Sequence, residues 1–138
     1  MFRKDFLEKQ LEQMGLVISK LIGEFLDPKK DISRELRMEK VKETLKSEFE
    51  LELKELNTID KEGLIGHLTT NKQLKTGQLN LLADLLFATI PFTENSEIPD
   101  PAKALIPKIL TIYEYVNSTE KTFSAVREQK ITILKSKI

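Results

Sequence analysis

From Leu7 to Phe25 the apolar positions fall at Leu7, Leu11, Met14, Ile18, Leu21 and Phe25, alternating steps of four and three. That period places all six on one stripe of an α-helix about three heptads long. Phe6, Val17 and Ile22 widen the stripe into a face suited to globular packing rather than to a narrow coiled-coil seam. Asp27-Pro28 ends the segment, because a residue before proline is driven out of the helical region. Asp31 or Ser33 then caps a second helix, in which Met38, Val41, Leu45, Phe49, Leu53 and Leu56 recur to about Asn57. Its other face is charged, and repulsive pairs such as Glu39 with Glu43 offset attractive ones such as Glu50 with Lys54. Packing must therefore hold it.

Asp60 caps a short third helix to about Thr70 despite Gly63 and Gly66, and Thr76 caps a fourth. The run Leu79, Leu81, Leu82, Ala83, Leu85, Leu86, Phe87, Ala88, Ile90 is apolar almost all round, which assigns this fourth helix to the middle of the fold. Pro91 to Asp100 is rich in breakers and polar groups and reads as the longest loop. Asp100-Pro101 opens a fifth helix carrying Leu105, Ile109, Ile112 and Val116. Pro107 either kinks it or marks its true start after a separate turn. Asn117-Ser118 breaks the chain, and Thr122 or Ser124 caps a last helix with Val126, the Lys130 stem, Leu134 and Ile138 on one face. Nothing alternates long enough to form a strand.

These elements make one all-α domain of five or six helices over residues 1–138, a length that buries enough surface to fold without a staple. The absence of cysteine excludes disulfides, thiolate nucleophiles and cysteine-ligated metals. The 22 basic and 22 acidic residues cancel, so no global field gathers phosphate or anionic lipid, and nucleic acid is disfavoured. No apolar run serves as an export signal or membrane span, which points to a cytoplasmic protein without membrane contact.

The second half has a helix, loop, helix, turn, helix plan, and Leu79, Leu82, Ala83 and Leu86 sit at the spacing of the first-helix signature of the tetratricopeptide repeat. Ala83 stands where that repeat usually has glycine, and Leu86 where it has an aromatic residue. With Arg3-Lys4-Asp5-Phe6 and Leu11 at the start, Leu82-Ala83-Asp84-Leu85-Leu86 in the centre and Tyr113 to Lys130 near the end, the chain resembles small bacterial all-helical proteins whose C-terminal half is tetratricopeptide-repeat-like. The resemblance implies an αα-hairpin array preceded by a long N-terminal helix, and such arrays usually bind other proteins.

Catalytic, metal and cofactor patterns are missing. His67 is the single histidine, so the chain alone can build no multi-histidine metal site and no His-Asp-Ser triad beyond that one ring; it is assigned no role. Glu48, Glu50, Glu52 and Glu55 read as a solvated helix surface. Gly63-x-x-Gly66 lacks the strand and lysine of a phosphate loop. Gly15 and Gly23, eight apart, share a face that admits close approach of another helix, within the fold or from outside. Tyr115, with Lys108 and Thr111 on the polar side of the fifth helix, is either an exposed anchor for a partner or a cover over the last helix. Lys121, Arg127, Lys130, Lys135 and Lys137 make the last helix basic.

The expectation is a non-enzymatic, cofactor-free module for protein–protein interaction or assembly, binding a protein partner or a second copy through the stripe of helix 1. The alternative is a small nucleic-acid-binding regulator that uses the basic C-terminal helix.

Overall fold

A computed structural model describes residues 2–27, 29–91, 98, 100 and 102–138, with side chains from residue 8 onward. Among them are seven α-helices and no strand: α1 Phe2–Leu26, α2 Arg34–Phe49, α3 Leu53–Thr58, α4 Lys61–Gly66, α5 Thr76–Phe87, α6 Ala102–Thr119 and α7 Ala125–Ser136, with a π-helical turn, His67–Asn71, continuing α4. The all-helical class stands, with seven helices in place of five or six.

The caps explain where most of these helices start. Ser33 Oγ accepts the Leu36 N–H at 3.2 Å, the Asp60 carboxylate accepts the Gly63 N–H at 3.0 Å, and Ser124 Oγ accepts the Arg127 N–H at 3.2 Å. At α5 the cap lies one residue earlier than expected. Lys75 holds that position, its N–H donating to the Gln78 side chain at 2.8 Å, while the Thr76 hydroxyl pairs with Thr119 on α6 at 3.3 Å.

Two breaks differ from the periodicity. The expected second helix to Asn57 stops at Phe49, because Glu50 takes a left-handed conformation (φ 52°) and the N–H groups of Glu50 and Leu51 return to the Lys46 and Leu45 carbonyls. Leu53 and Leu56 still reach the core, from the separate α3. Conversely, Asn117-Ser118 does not break α6, which runs on to Thr119. The Ser118 and Thr119 hydroxyls turn back to the Tyr115 carbonyl and so stay within the helix. Pro107 lies inside that continuous helix, and its carbonyl accepts the Thr111 hydroxyl at 2.8 Å. The expected loop from Pro91 to Asp100 falls largely outside the described residues.

All seven helices contribute to one apolar core. Leu79, Leu82, Ala83, Leu85 and Leu86 of α5 are buried, as an almost uniformly apolar helix requires, and burying each leucine contributes about 1.5–3 kcal/mol. The Phe6 and Leu7 side chains of the α1 stripe lie outside the described residues; of the rest, Met14, Ile18 and Phe25 are buried, and Leu21 and Ile22 pack on the core. Val17, expected to widen the stripe, is exposed instead. Gly15 faces Leu81, whereas a Cβ on Gly23 would meet nothing, so the two glycines do not form a shared approach site. The close approach is at Gly77, where an added Cβ would stand 2.7 Å from Leu11.

These contacts set directions. Leu11 lies by Gly77 and Gly15 by Leu81, so α1 runs parallel to α5. Asn80 and Asp84 of α5 meet Arg127 and Lys130 of α7 in the same order, so α7 is parallel to α5 as well. Thr76 meets Thr119 and Asp84 meets Tyr113, so α6 is antiparallel to all three.

Candidate functional site

Because α1 packs on α5 while α7 packs on α6 and reaches α5 through the Arg127–Asn80 and Lys130–Asp84 contacts, a groove is left between α1 and Lys130 of α7 with α5 as its floor. It encloses about 510 Å³, within the range of ligand sites. Ile22, Phe25 and Leu26 wall one side, Phe87 and Ala88 line the floor, and Lys130 stands on the far side. Arg37 of α2 closes one end next to Ile90 and Pro91.

Among the described residues, two cations at the groove, Arg37 and Lys130, lie against aromatic rings. The Arg37 guanidinium is 5.6 Å from the Phe25 ring centre, and its Nε donates to the Ile32 carbonyl at 3.3 Å. The Lys130 ammonium is 5.4 Å from the Phe87 ring centre and 3.0 Å from Asp84 Oδ1. That same oxygen accepts the Tyr113 hydroxyl at 2.5 Å. Burial, reinforced by the adjoining Asp84 carboxylate, holds the Tyr113 phenol above its ordinary pKa, so it stays a donor. The acid on the groove floor is thus already engaged from α6 and from α7.

Lys130 owes its place to a face of α7 that hydrophobicity alone misassigns. Val126 and Ile138, expected to face the core, are exposed; the buried residues are Arg127, Ile131 and Leu134. Arg127 can be buried because its Nε and two terminal nitrogens donate to Asn117 at 2.6 Å, Asn80 at 3.1 Å and Glu120 at 3.0 Å. The rotation this imposes leaves Val126, Lys130, Ile133 and Lys137, at steps of four and three, on the flank that borders the groove at Lys130.

The candidates singled out from the sequence lie elsewhere. Lys108 donates to the Leu56 carbonyl at the end of α3, and its burial lowers the lysine pKa against the opposing pull of Asp60. Thr111 bonds within its own helix, and Tyr115 is half-buried against the core. They share a face of α6, but the Lys108 end of that face is turned to α3. His67 joins a chain in which Asn71 Nδ2 donates to Nδ1 at 3.1 Å and Nε2 donates to Glu55 at 3.0 Å. Lys72 approaches the same carboxylate at 3.4 Å, and together these contacts fasten α3 to the π turn. Among the described residues no cluster of His, Asp and Glu could hold a metal, and no helix is long and apolar enough to cross a membrane.

The sequence signal for the groove was present only in pieces. Phe25 and Phe87 read as apolar positions of two separate helices and the Lys130 stem as part of the apolar face of a third, and nothing in a one-dimensional pattern places them side by side or brings Arg37 to them.

The chain matches no protein-family model, no curated protein and no solved structure.

Proposed function

We propose that this chain is a non-enzymatic interaction module that takes an amphipathic helix of a partner protein into the groove between α1 and α7. The observation that carries the reading is the groove itself: a trough with aromatic and aliphatic walls, bounded by parallel helices, with exposed apolar side chains continuing from it. Leu26, 77% exposed, lines one margin, and Val126 and Ile133, 62% and 39% exposed, share the α7 flank that carries Lys130 on the other. A helix laid between two helices would cover all three in the helix-in-groove manner.

The ionisable groups support binding over chemistry. Lys108, Arg127, Tyr113 and Asp84 are each held by a structural partner, and catalysis needs such groups aimed at a substrate. The resemblance to tetratricopeptide-repeat-like arrays agrees with this reading, since α5, α6 and α7 alternate in direction. The nucleic-acid alternative loses one of its cations, Arg127, to the interior. Self-association through the α1 stripe loses its buried residues to the core.

Site-resolved photocrosslinking in the native cell tests the proposal. A crosslinking residue at Leu26 or at Val126 should give the same protein adduct, while one at Leu16, exposed on another face of α1, should not. Equal adducts from all three positions, or adducts only with nucleic acid or with a second copy of the chain, would refute it.

A further inference from the structure

We infer that the helix received by the groove is acidic along the borders of its apolar stripe, with carboxylates that pair with Arg37 at one end and with the Lys130–Lys137 flank of α7. This rests on the groove reading above and adds the chemistry of the partner.

Among the described residues, Arg37 uses only Nε, on the Ile32 carbonyl, and lays its face on Phe25; its two terminal nitrogens have no acceptor. They form the planar fork that matches a carboxylate with two parallel hydrogen bonds. Lys130 has one ion pair and three N–H donors. Asp84, the acid at the groove, already carries Tyr113 and Lys130 on one oxygen.

The excess of positive charge extends beyond the groove. A shallower pocket of about 170 Å³ shares Arg37, Ala88, Ile90 and Pro91 with it and brings in Arg34. Among the described lining residues, Arg34, Arg37 and Lys130 against Asp84 give three positive charges and one negative, a net of two positive. Lys137, exposed and two turns from Lys130 on the same face, continues the series. Of the two acids near this end of α1, Glu24 is turned to Lys40 at 3.5 Å and Asp27 Oδ1 accepts the Lys29 N–H at 2.9 Å.

Partner classes then separate on desolvation. A neutral apolar helix would strip water from the Arg37 fork and return no acceptor, and a basic helix would add like charge to the same place. A helix with glutamates beside its leucines supplies acceptors to Arg37 and the lysines while its leucines fill the trough between Phe25 and Phe87.

The test is a selection on the full chain from a displayed library of helices about 16 residues long, roughly the span of the groove-bordering helices. A leucine stripe is kept constant and the flanking positions vary among Glu, Gln and Lys. Glu should be enriched over both, and the selected peptide should bind more weakly as salt rises. Arg37→Gln should weaken it roughly tenfold. Lys137→Gln, at an exposed end of α7 where folding is not at stake, should weaken it severalfold. Enrichment of Gln or Lys, or peptide affinity indifferent to salt and to both substitutions, would overturn the inference and leave the groove reading standing. A library that yields no binder at all would remove both.

Discussion

The Tyr113 hydroxyl on α6 donates to the Asp84 carboxylate on α5 at 2.5 Å, and the same oxygen receives the Lys130 ammonium from α7 at 3.0 Å. One carboxylate thereby ties three helices together beneath the groove. Tyr113→Phe deletes one of its two donors while preserving the packed ring, and the expected cost is about 1–3 kcal/mol in chemical denaturation. In alkaline titration Tyr113 should add no phenolate absorbance until the chain unfolds, because burial and the facing acid both oppose its ionisation.

At Gly77 the approach of α1 to α5 is testable by a double-mutant cycle. An alanine methyl at this position would press on Leu11, 2.7 Å from its nearest methyl carbon. Gly77→Ala should therefore lower stability by about 1 kcal/mol in the native sequence. In a Leu11→Ala background the same change should raise it by about 0.5 kcal/mol, through the better helix propensity of alanine. Equal effects in both backgrounds would place Leu11 elsewhere.

Glu50 ends α2 in a left-handed conformation that costs a residue with a Cβ about 1–2 kcal/mol. Its side chain is exposed, and the contact it contributes to Lys72 comes from its carbonyl, which glycine retains. Glu50→Gly should raise the unfolding free energy by about 0.5–1 kcal/mol, and a loss of stability would contradict the backbone assigned here.

Acid should loosen the clasp between α3 and the π turn. The hydrogen bond from His67 holds the Glu55 carboxyl below the ordinary carboxylate value, against the opposing effect of burial and with help from the Glu52 N–H and Lys72. A depressed folded-state pKa means that ionised Glu55 stabilises the fold above about pH 4.5, and that this contribution is lost as pH falls through the lower folded value. Glu55→Gln should reduce stability near neutrality and flatten its decline below about pH 5, as followed by denaturant unfolding across the acid range.

How much of this was legible in the sequence varies by element. The α1 stripe and the all-apolar α5 predict their own burial, because helical period and hydrophobicity suffice when a helix buries what it carries. The caps at Ser33, Asp60 and Ser124 are equally local. The break at Glu50 is not legible, since the residue in the left-handed position is a glutamate in an unbroken apolar period rather than a glycine. The orientation of α7 is missed because a periodic reading counts Arg127 as polar; only its partners Asn80, Asn117 and Glu120, brought from two helices and a turn, make it an interior residue. The groove has no local signal at all. It exists because α1 and α7, far apart in the chain, lie on either side of α5, whereas Tyr115, Lys108 and Thr111 share one helix and so form a local pattern.

Backbone amide chemical shifts of the full chain, recorded while a selected acidic helix is added, test the central claim most directly. Perturbations are expected at residues 22–26 of α1, 84–87 of α5 with the adjoining Ala88, 126–136 of α7 with the adjoining Lys137, and Arg37. Perturbations centred instead on Lys108, Thr111 and Tyr115 of α6, with the groove residues unmoved, would contradict it.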